Sequence, residues 1–255
     1  MGPAGLHRSD ASDVAGARAG SRSHGSRPPP HGSCEPDPNL TRSARYIGGV
    51  IVVIGAAALR GEAPVGLAAR AALAAAASGT AVELITKVGD DPAGDALLLA
   101  LARAKVGHVA VLRDPAFATG QRWPTDDVAP DDASTSPPTP GAPTLEAADV
   151  GLALRYLTEY RAIVVVHPTT SALLAEAADA ARWGGAHLVV VVGTGDETPP
   201  GLPDDALVLA AEPEADDADG LGERLGRYVA AVDRGEATEE AFREFVTVAG
   251  TGVEG

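Results

Sequence analysis

Along the chain, apolar residues gather in short β-branched runs separated by longer stretches where they recur every three or four positions. Residues 50–54 are continuous Val and Ile, the pattern of a strand buried on both faces of a parallel sheet. Residues 65–78 are alanine-rich with strong helix propensity, and Gly79 stops them. Residues 82–86 predict a second strand. Asp91 followed by Pro92 reads as an N-cap with proline in the first turn of a helix that runs to about Lys105. Further on, 109–112 predicts a strand, 146–160 a helix, 163–166 a buried strand, 171–183 a helix ended by Gly184 and Gly185, and 188–192 another strand. Residues 206–210 read as one more strand, and 221–233 and 238–246 as closing helices. Strands alternating with helices imply an α/β domain of three layers, αβα, around a mostly parallel central sheet with right-handed crossovers.

Two stretches break this alternation. Residues 1–46 are rich in Gly, Ser, Pro, His and Arg, with three consecutive prolines at Pro28, Pro29 and Pro30. So few large apolar side chains cannot offset the entropy of ordering the chain, and the segment is expected to be a disordered tail. It has no apolar core of the kind a secretory signal carries; an arginine-rich targeting peptide is the alternative to a plain tail, and the cytoplasm is the default compartment. The folded portion is then one domain over 47–255, in which 114–144, rich in Pro, Asp, Ser and Thr, forms a low-complexity loop with a short strand near residues 121–123.

Charge and cysteine content narrow the function classes. The formal charge is −15, and because six arginines outnumber four acids in the tail, the remaining chain carries −17. That balance argues against nucleic acid or an anionic membrane as partner. The longest apolar run, residues 47–59, is about a dozen residues against the roughly 20 needed to span a bilayer. A single cysteine, Cys34, leaves no intrachain disulfide framework and no multi-cysteine metal site. Only Lys87 and Lys105 are lysines, a bias that with the Ala, Gly and Pro excess reads as a GC-rich coding sequence.

Gly79-Thr80-Ala81-Val82-Glu83-Leu84-Ile85-Thr86-Lys87-Val88-Gly89-Asp90-Asp91-Pro92-Ala93-Gly94, followed by a leucine-rich helix and Val106-Gly107-His108-Val109, resembles the N-terminal half of ribokinase-like (PfkB) carbohydrate kinases. Residues 226–235 and 238–243 are similar to the closing helices of the same family. The resemblance spans about two thirds of the chain. It implies a ribokinase-like αβα fold and transfer of phosphate from ATP, with Mg²⁺, to a hydroxyl of a sugar or nucleoside. Such chemistry needs a carboxylate base beside the acceptor hydroxyl and backbone N–H groups at a helix N-terminus. The family's Gly-Ala-Gly-Asp turn falls at Ala218-Asp219-Gly220-Leu221, so the base position reads Leu221. Asp219 is then the candidate displaced base, and Gly220 and Gly222 could present N–H groups to the nucleotide. By position Gly193, Thr194 and Gly195 resemble the strand-end loop that flanks the nucleotide, although an ordinary turn explains them equally.

Other positions depart from the family. The first strand leads into Gly55-Ala56-Ala57-Ala58-Leu59 with no aspartate for a sugar. The substrate-lining positions fall at Gly66, which is retained, and Arg70, which replaces an asparagine. Between Ile54 and the helix at Val65 there is no room for lid strands, so the lid is expected to be reduced or absent, and the chain reads as a shortened, divergent relative.

Competing motifs are weaker. A dinucleotide fingerprint would need three spaced glycines after the first strand, where only Gly55 stands, and no Gly-Lys-Ser/Thr phosphate loop exists. Pro199, Pro200 and Pro203 prevent a helix from starting after Gly193-Thr194-Gly195-Asp196. The pair Asp90 and Asp91 reads as a turn residue plus N-cap and not as metal ligands. His167, with Pro168, Thr169, Thr170 and Ser171, sits at a strand end as a ligand contact or a capping turn. The acidic run 212–219 could hold Mg²⁺ or form a solvated loop, and Trp123 and Trp183 read as packing residues. Two classes remain: an ATP-dependent sugar or nucleoside kinase with weakened or lost catalysis, and a non-catalytic ribokinase-fold protein that binds a small molecule or a partner. The sequence sets no oligomeric state.

Overall fold

The computed structural model describes residues 49–121, 141–157, 159–166, 169–211 and 220–250, all within the compact unit Ala44–Gly255. Eight strands and six helices are formed among them. In chain order they are β1 (Val50–Ile54), β2 (Ala58–Arg60), β3 (Ala63–Val65), α1 (Leu67–Ala77), β4 (Ala81–Gly89), α2 (Pro92–Arg103), β5 (Val111–Asp114), α3 (Ala147–Tyr156), β6 (Tyr160–Val166), α4 (Ser171–Gly184), β7 (His187–Val192), β8 (Leu207–Ala210), α5 (Leu221–Asp233) and α6 (Thr238–Gly250).

Six strands form one sheet in the order β5-β4-β1-β6-β7-β8, every pair parallel. A parallel pair needs a crossover, and the crossovers here are α1 through α4. The pleat decides which side chain goes where. Ile51 and Val53 point to the face carrying α1, α2, α5 and α6, whereas Val52 and Ile54 point to the face carrying α3 and α4. Ile51, Val52, Val53 and Ile54 are fully buried, each stabilising the fold by roughly 1.5–3 kcal/mol.

The α1 layer is built for close approach. Ala68, Ala69, Ala71, Ala72 and Ala75 are the buried residues of α1, and α5 opposes them with Gly226. A Cβ at Gly226 would lie 2.4 Å from the Ala71 carbonyl oxygen and 2.7 Å from Ala74 Cβ. Asp91 caps α2, accepting from Gly94 N–H at 2.7 Å, and also receives the Thr119 N–H and hydroxyl, each at 2.7 Å. Partial burial pushes this carboxyl up, but the hydrogen bonds from Thr119 and Gly94 outweigh it and hold its pKa below the ordinary aspartate value.

The structure corrects two expectations. Strands were not expected between Ile54 and the first helix, yet β2 and β3 form an antiparallel hairpin there, pairing Arg60 with Ala63 across Gly61 and Glu62. Gly61 has φ 60 at the first central position, the feature that lets a two-residue hairpin turn close. Trp183 was expected to pack, but it is 90% exposed near the end of α4; Trp123 lies outside the described residues. Of the strand expected near 121–123, Gln121 makes a parallel bridge with Leu59 and the rest lies outside the described residues.

Candidate functional site

All six strands of the main sheet end on one edge. The chain leaves β1 toward β4 and β5 over one face, then returns past β1 to β6, β7 and β8 over the other, so the order reverses between β1 and β6. Open parallel sheets place ligands outside the strand ends at such a reversal.

A cavity of about 380 Å³ lies there. Ile54, Gly55 and Ala56 at the end of β1 form one wall, and Thr86 and Lys87 of β4 a second. The openings of α3, at Glu146 and Ala147, and of α4, at Thr169 and Thr170, close the rest. Glycine at position 55 is required by space: a Cβ would meet Ala68 Cβ at 2.9 Å and Val166 Cβ at 3.1 Å.

The polar groups of the cavity are held by these same elements. The Lys87 ammonium donates to Asp149 Oδ2 at 3.2 Å and lies 3.7 Å from Asp114 Oδ2. Asp149 also accepts from the Glu146 N–H at 3.0 Å, which completes a capping box and fixes the first turn of α3 against β4. Burial pushes the Lys87 ammonium down, but Asp149, with Asp114 and Glu146 behind it, outweighs this and holds it above the ordinary lysine value. The Thr170 hydroxyl caps α4 by accepting from Leu173 N–H at 3.2 Å. Thr86 is completely buried, and its hydroxyl has no hydrogen-bond partner. A buried polar group left unmatched costs about 1–3 kcal/mol, and with no accessible surface this hydroxyl sits behind the cavity wall rather than facing a ligand.

The sequence-predicted residues lie elsewhere on the same edge. Gly66, with φ 100, precedes α1, and its carbonyl accepts from Arg70 N–H at 3.0 Å. Gly220, with φ 62, precedes α5, followed by Leu221 and the buried Gly222. Gly66, Arg70, Gly220 and Gly222 thus open two neighbouring helices on the α1 face. Gly193, Thr194 and Gly195 form a turn after β7 in which Asp196 Oδ2 accepts from the Gly193 N–H at 3.0 Å. None of these residues lines the cavity. Asp219, His167 and the acidic run 212–219 lie outside the described residues.

The described turns fit a triphosphate poorly. The Asp196 carboxylate already takes the Gly193 N–H, and the first turn of α5 carries Glu223, paired with Arg227 at 3.1 Å. Among the described residues no group of three His, Cys, Asp or Glu is placed to hold a metal ion, and Asp90 is engaged by Arg113 at 2.9 Å.

Of the cavity residues, Thr170 was read from the sequence as part of a strand-end ligand contact or capping turn, and it caps α4; Thr86 and Lys87, with Asp149 behind Lys87, were not singled out as a site. Lys87 carried the clearest signal, a lysine ending an apolar strand in a chain with one other lysine. Asp149 carried none, because Lys87, the partner that ties it to the site, is sixty-two residues away.

No family model and no curated protein matches the sequence. Solved structures do match. A PfkB protein from Polaromonas sp. JS666 is 18% identical with a TM-score of 0.53, covering 81% of this chain and 96% of that one. A protein designated ribokinase II from E. coli is 14% identical with a TM-score of 0.51, covering 77% of this chain and 90% of that one, and it has also been solved with ATP and Mg²⁺. Sa239, 14% identical, has a TM-score of 0.54 and coverages of 82% and 94%. The chain has the ribokinase-like αβα fold. No helix among the described residues is long and apolar enough to cross a membrane.

Proposed function

We propose that this protein uses the ribokinase-like fold to bind a small polyhydroxylated molecule, a sugar or nucleoside, at the sheet edge, with ATP-dependent phosphoryl transfer weakened or lost. Fold alone does not carry function, so the reading rests on the site. The observation that carries it is the opening of α5. Leu221 is the first residue of that helix, behind Gly220 in the left-handed conformation, and an aliphatic side chain at the base position can take no proton from an acceptor hydroxyl. The cavity between β1, β4, α3 and α4 supplies the binding half of the reading. It has the small volume and mostly apolar wall, with a few polar groups, that ligand sites share.

The test is a melting and turnover screen. The purified chain is mixed with a panel of sugars and nucleosides, with and without Mg²⁺-ATP. A panel member present at about 100 times its Kd should raise Tm by roughly 5–10 °C, with no ATP-dependent product. Phosphorylated product that disappears in Asp219→Asn overturns the loss of catalysis and establishes the kinase. If no panel member shifts Tm, the cavity is not a sugar or nucleoside site.

A further inference from the structure

Between α3 and α4, running to their C-terminal ends beside Tyr160 at the start of β6, lies a groove of about 770 Å³. Leu154, Leu157 and Trp183 give it an apolar lining; Glu159, Glu176 and Asp179 stand along it, Asp179 paired with Arg182 at 2.7 Å, and among the described residues Arg155 is the basic side chain of the lining. Tyr156, next to Arg155 on α3, is 76% exposed, and Leu152 one turn earlier is 48% exposed. Trp183 itself is 90% exposed, so large apolar side chains stand open to solvent on both helices. The C-terminal ends of α3 and α4 both reach this groove, each contributing roughly half a negative charge.

We propose that this groove docks a basic segment of another protein, in which Arg or Lys side chains alternate with apolar ones. The apolar lining takes the aliphatic residues. The exposed Trp183 ring offers its face to a guanidinium or ammonium, and Glu159, Glu176 and Asp179 with the two helix ends complement the positive charge. Charge also decides against a second copy of this chain. A two-fold contact would bring together two copies of this acid-bearing groove in a chain of net charge −15, whereas a basic partner meets it with opposite charge. This proposal is independent of the cavity and its ligand.

Binding of a fluorescein-labelled peptide of alternating Arg and Leu to the full chain, followed by anisotropy, tests it. Trp183→Ala and the double change Glu176→Lys with Asp179→Lys are expected to weaken binding about tenfold or more each. The control double change Glu62→Lys with Glu197→Lys alters the net charge equally at exposed loop positions and is expected to leave binding within twofold. All variants alter exposed residues, and unchanged melting confirms the fold. Equal weakening in the control shows diffuse attraction to an acidic surface and overturns the proposal, as does unchanged binding in Trp183→Ala. A dimer of the unliganded chain that Trp183→Ala dissociates assigns the groove to a second copy and also overturns it.

Discussion

The two faces of the sheet are covered differently, and the concavities follow the difference. On one face the small side chains of α1 and the glycine of α5 let helix backbones touch, and α2 and α6 extend the same core. On the other, α3 and α4 pack with larger side chains and hold their positions through polar caps and the Lys87–Asp149 pair. Dense packing of small residues leaves little room between α1 and α5, and the concavity on this face is smaller, about 200 Å³, set at the α5–α6 end beside Ser78, Tyr228 and Phe245. Two helices propped by their caps leave a cavity above the strand ends and a groove toward their C-terminal ends. The residues the sequence nominated for chemistry open α1 and α5, whereas the cavity belongs largely to the α3 and α4 side.

The sharpest way to break this comparison is the same substitution on both faces. At Gly226 a new methyl would strike the Ala71 carbonyl oxygen at 2.4 Å and the Ala75 nitrogen at 2.8 Å, backbone atoms that move only if α1 moves. At Gly151 of α3 it would meet the Glu176 carboxylate at 2.9 Å, the free end of a flexible side chain. Gly226→Ala is therefore expected to lose about 2 kcal/mol in urea unfolding despite the gain in helix propensity. Gly151→Ala is expected to gain up to about 1 kcal/mol. Equal responses would show that the two layers are equally tight.

A smaller effect separates stability from binding at the cavity. Thr86→Val keeps the shape of a fully buried side chain and removes its unpartnered hydroxyl. The variant is expected to be more stable by about 1 kcal/mol in urea unfolding, with the ligand-induced rise in Tm unchanged because the hydroxyl has no accessible surface. A reduced ligand response in Thr86→Val would show that the wall opens to expose Thr86 when ligand binds.

Most of the fold was legible because its signals are local. The unbroken run of β-branched residues set β1 at Val50–Ile54, and Asp91 before Pro92 set the start of α2. Boundaries failed where a distant partner decides. The second strand was expected to stop at Thr86, because Lys87 is polar, but β4 runs to Gly89 with Lys87 satisfied by Asp149, sixty-two residues away. The third strand was expected at 109–112, yet Val109 is 81% exposed and β5 begins at Val111. The helix expected to reach Tyr160 ends at Tyr156, because its C-cap Leu157 turns extended with ψ 114, and Glu159 follows in the left-handed region at φ 63. The hairpin β2–β3 escaped notice since its strands are three residues long and carry little β-branched content. The candidate site was the least legible part: its cavity comes from β1, β4, α3 and α4, and no short stretch of sequence contains it.

The smallest expected effect concerns how well the α5 face seals its titratable groups. His187 opens β7 with Nε2 2.8 Å from the Tyr228 hydroxyl of α5, and the two rings meet edge to face at 5.8 Å. Burial pushes the His187 pKa below the usual histidine value, with Asp205 opposing only in part. Burial also pushes the Tyr228 phenol up to about 12. For His187 the unfolded chain takes up the proton first as pH falls, so its contribution is intact above about 6.5 and is lost as pH drops through the folded value. For Tyr228 the unfolded chain ionises first as pH rises, so stability is lost from about pH 10 toward 12. Urea midpoints are therefore expected to fall from pH 7 to pH 5, and His187→Gln, which keeps a hydrogen-bonding group for Tyr228 but does not titrate, should flatten that fall. An equally steep acid limb in His187→Gln would mean that water reaches His187 and that the α5 face is not sealed at this end.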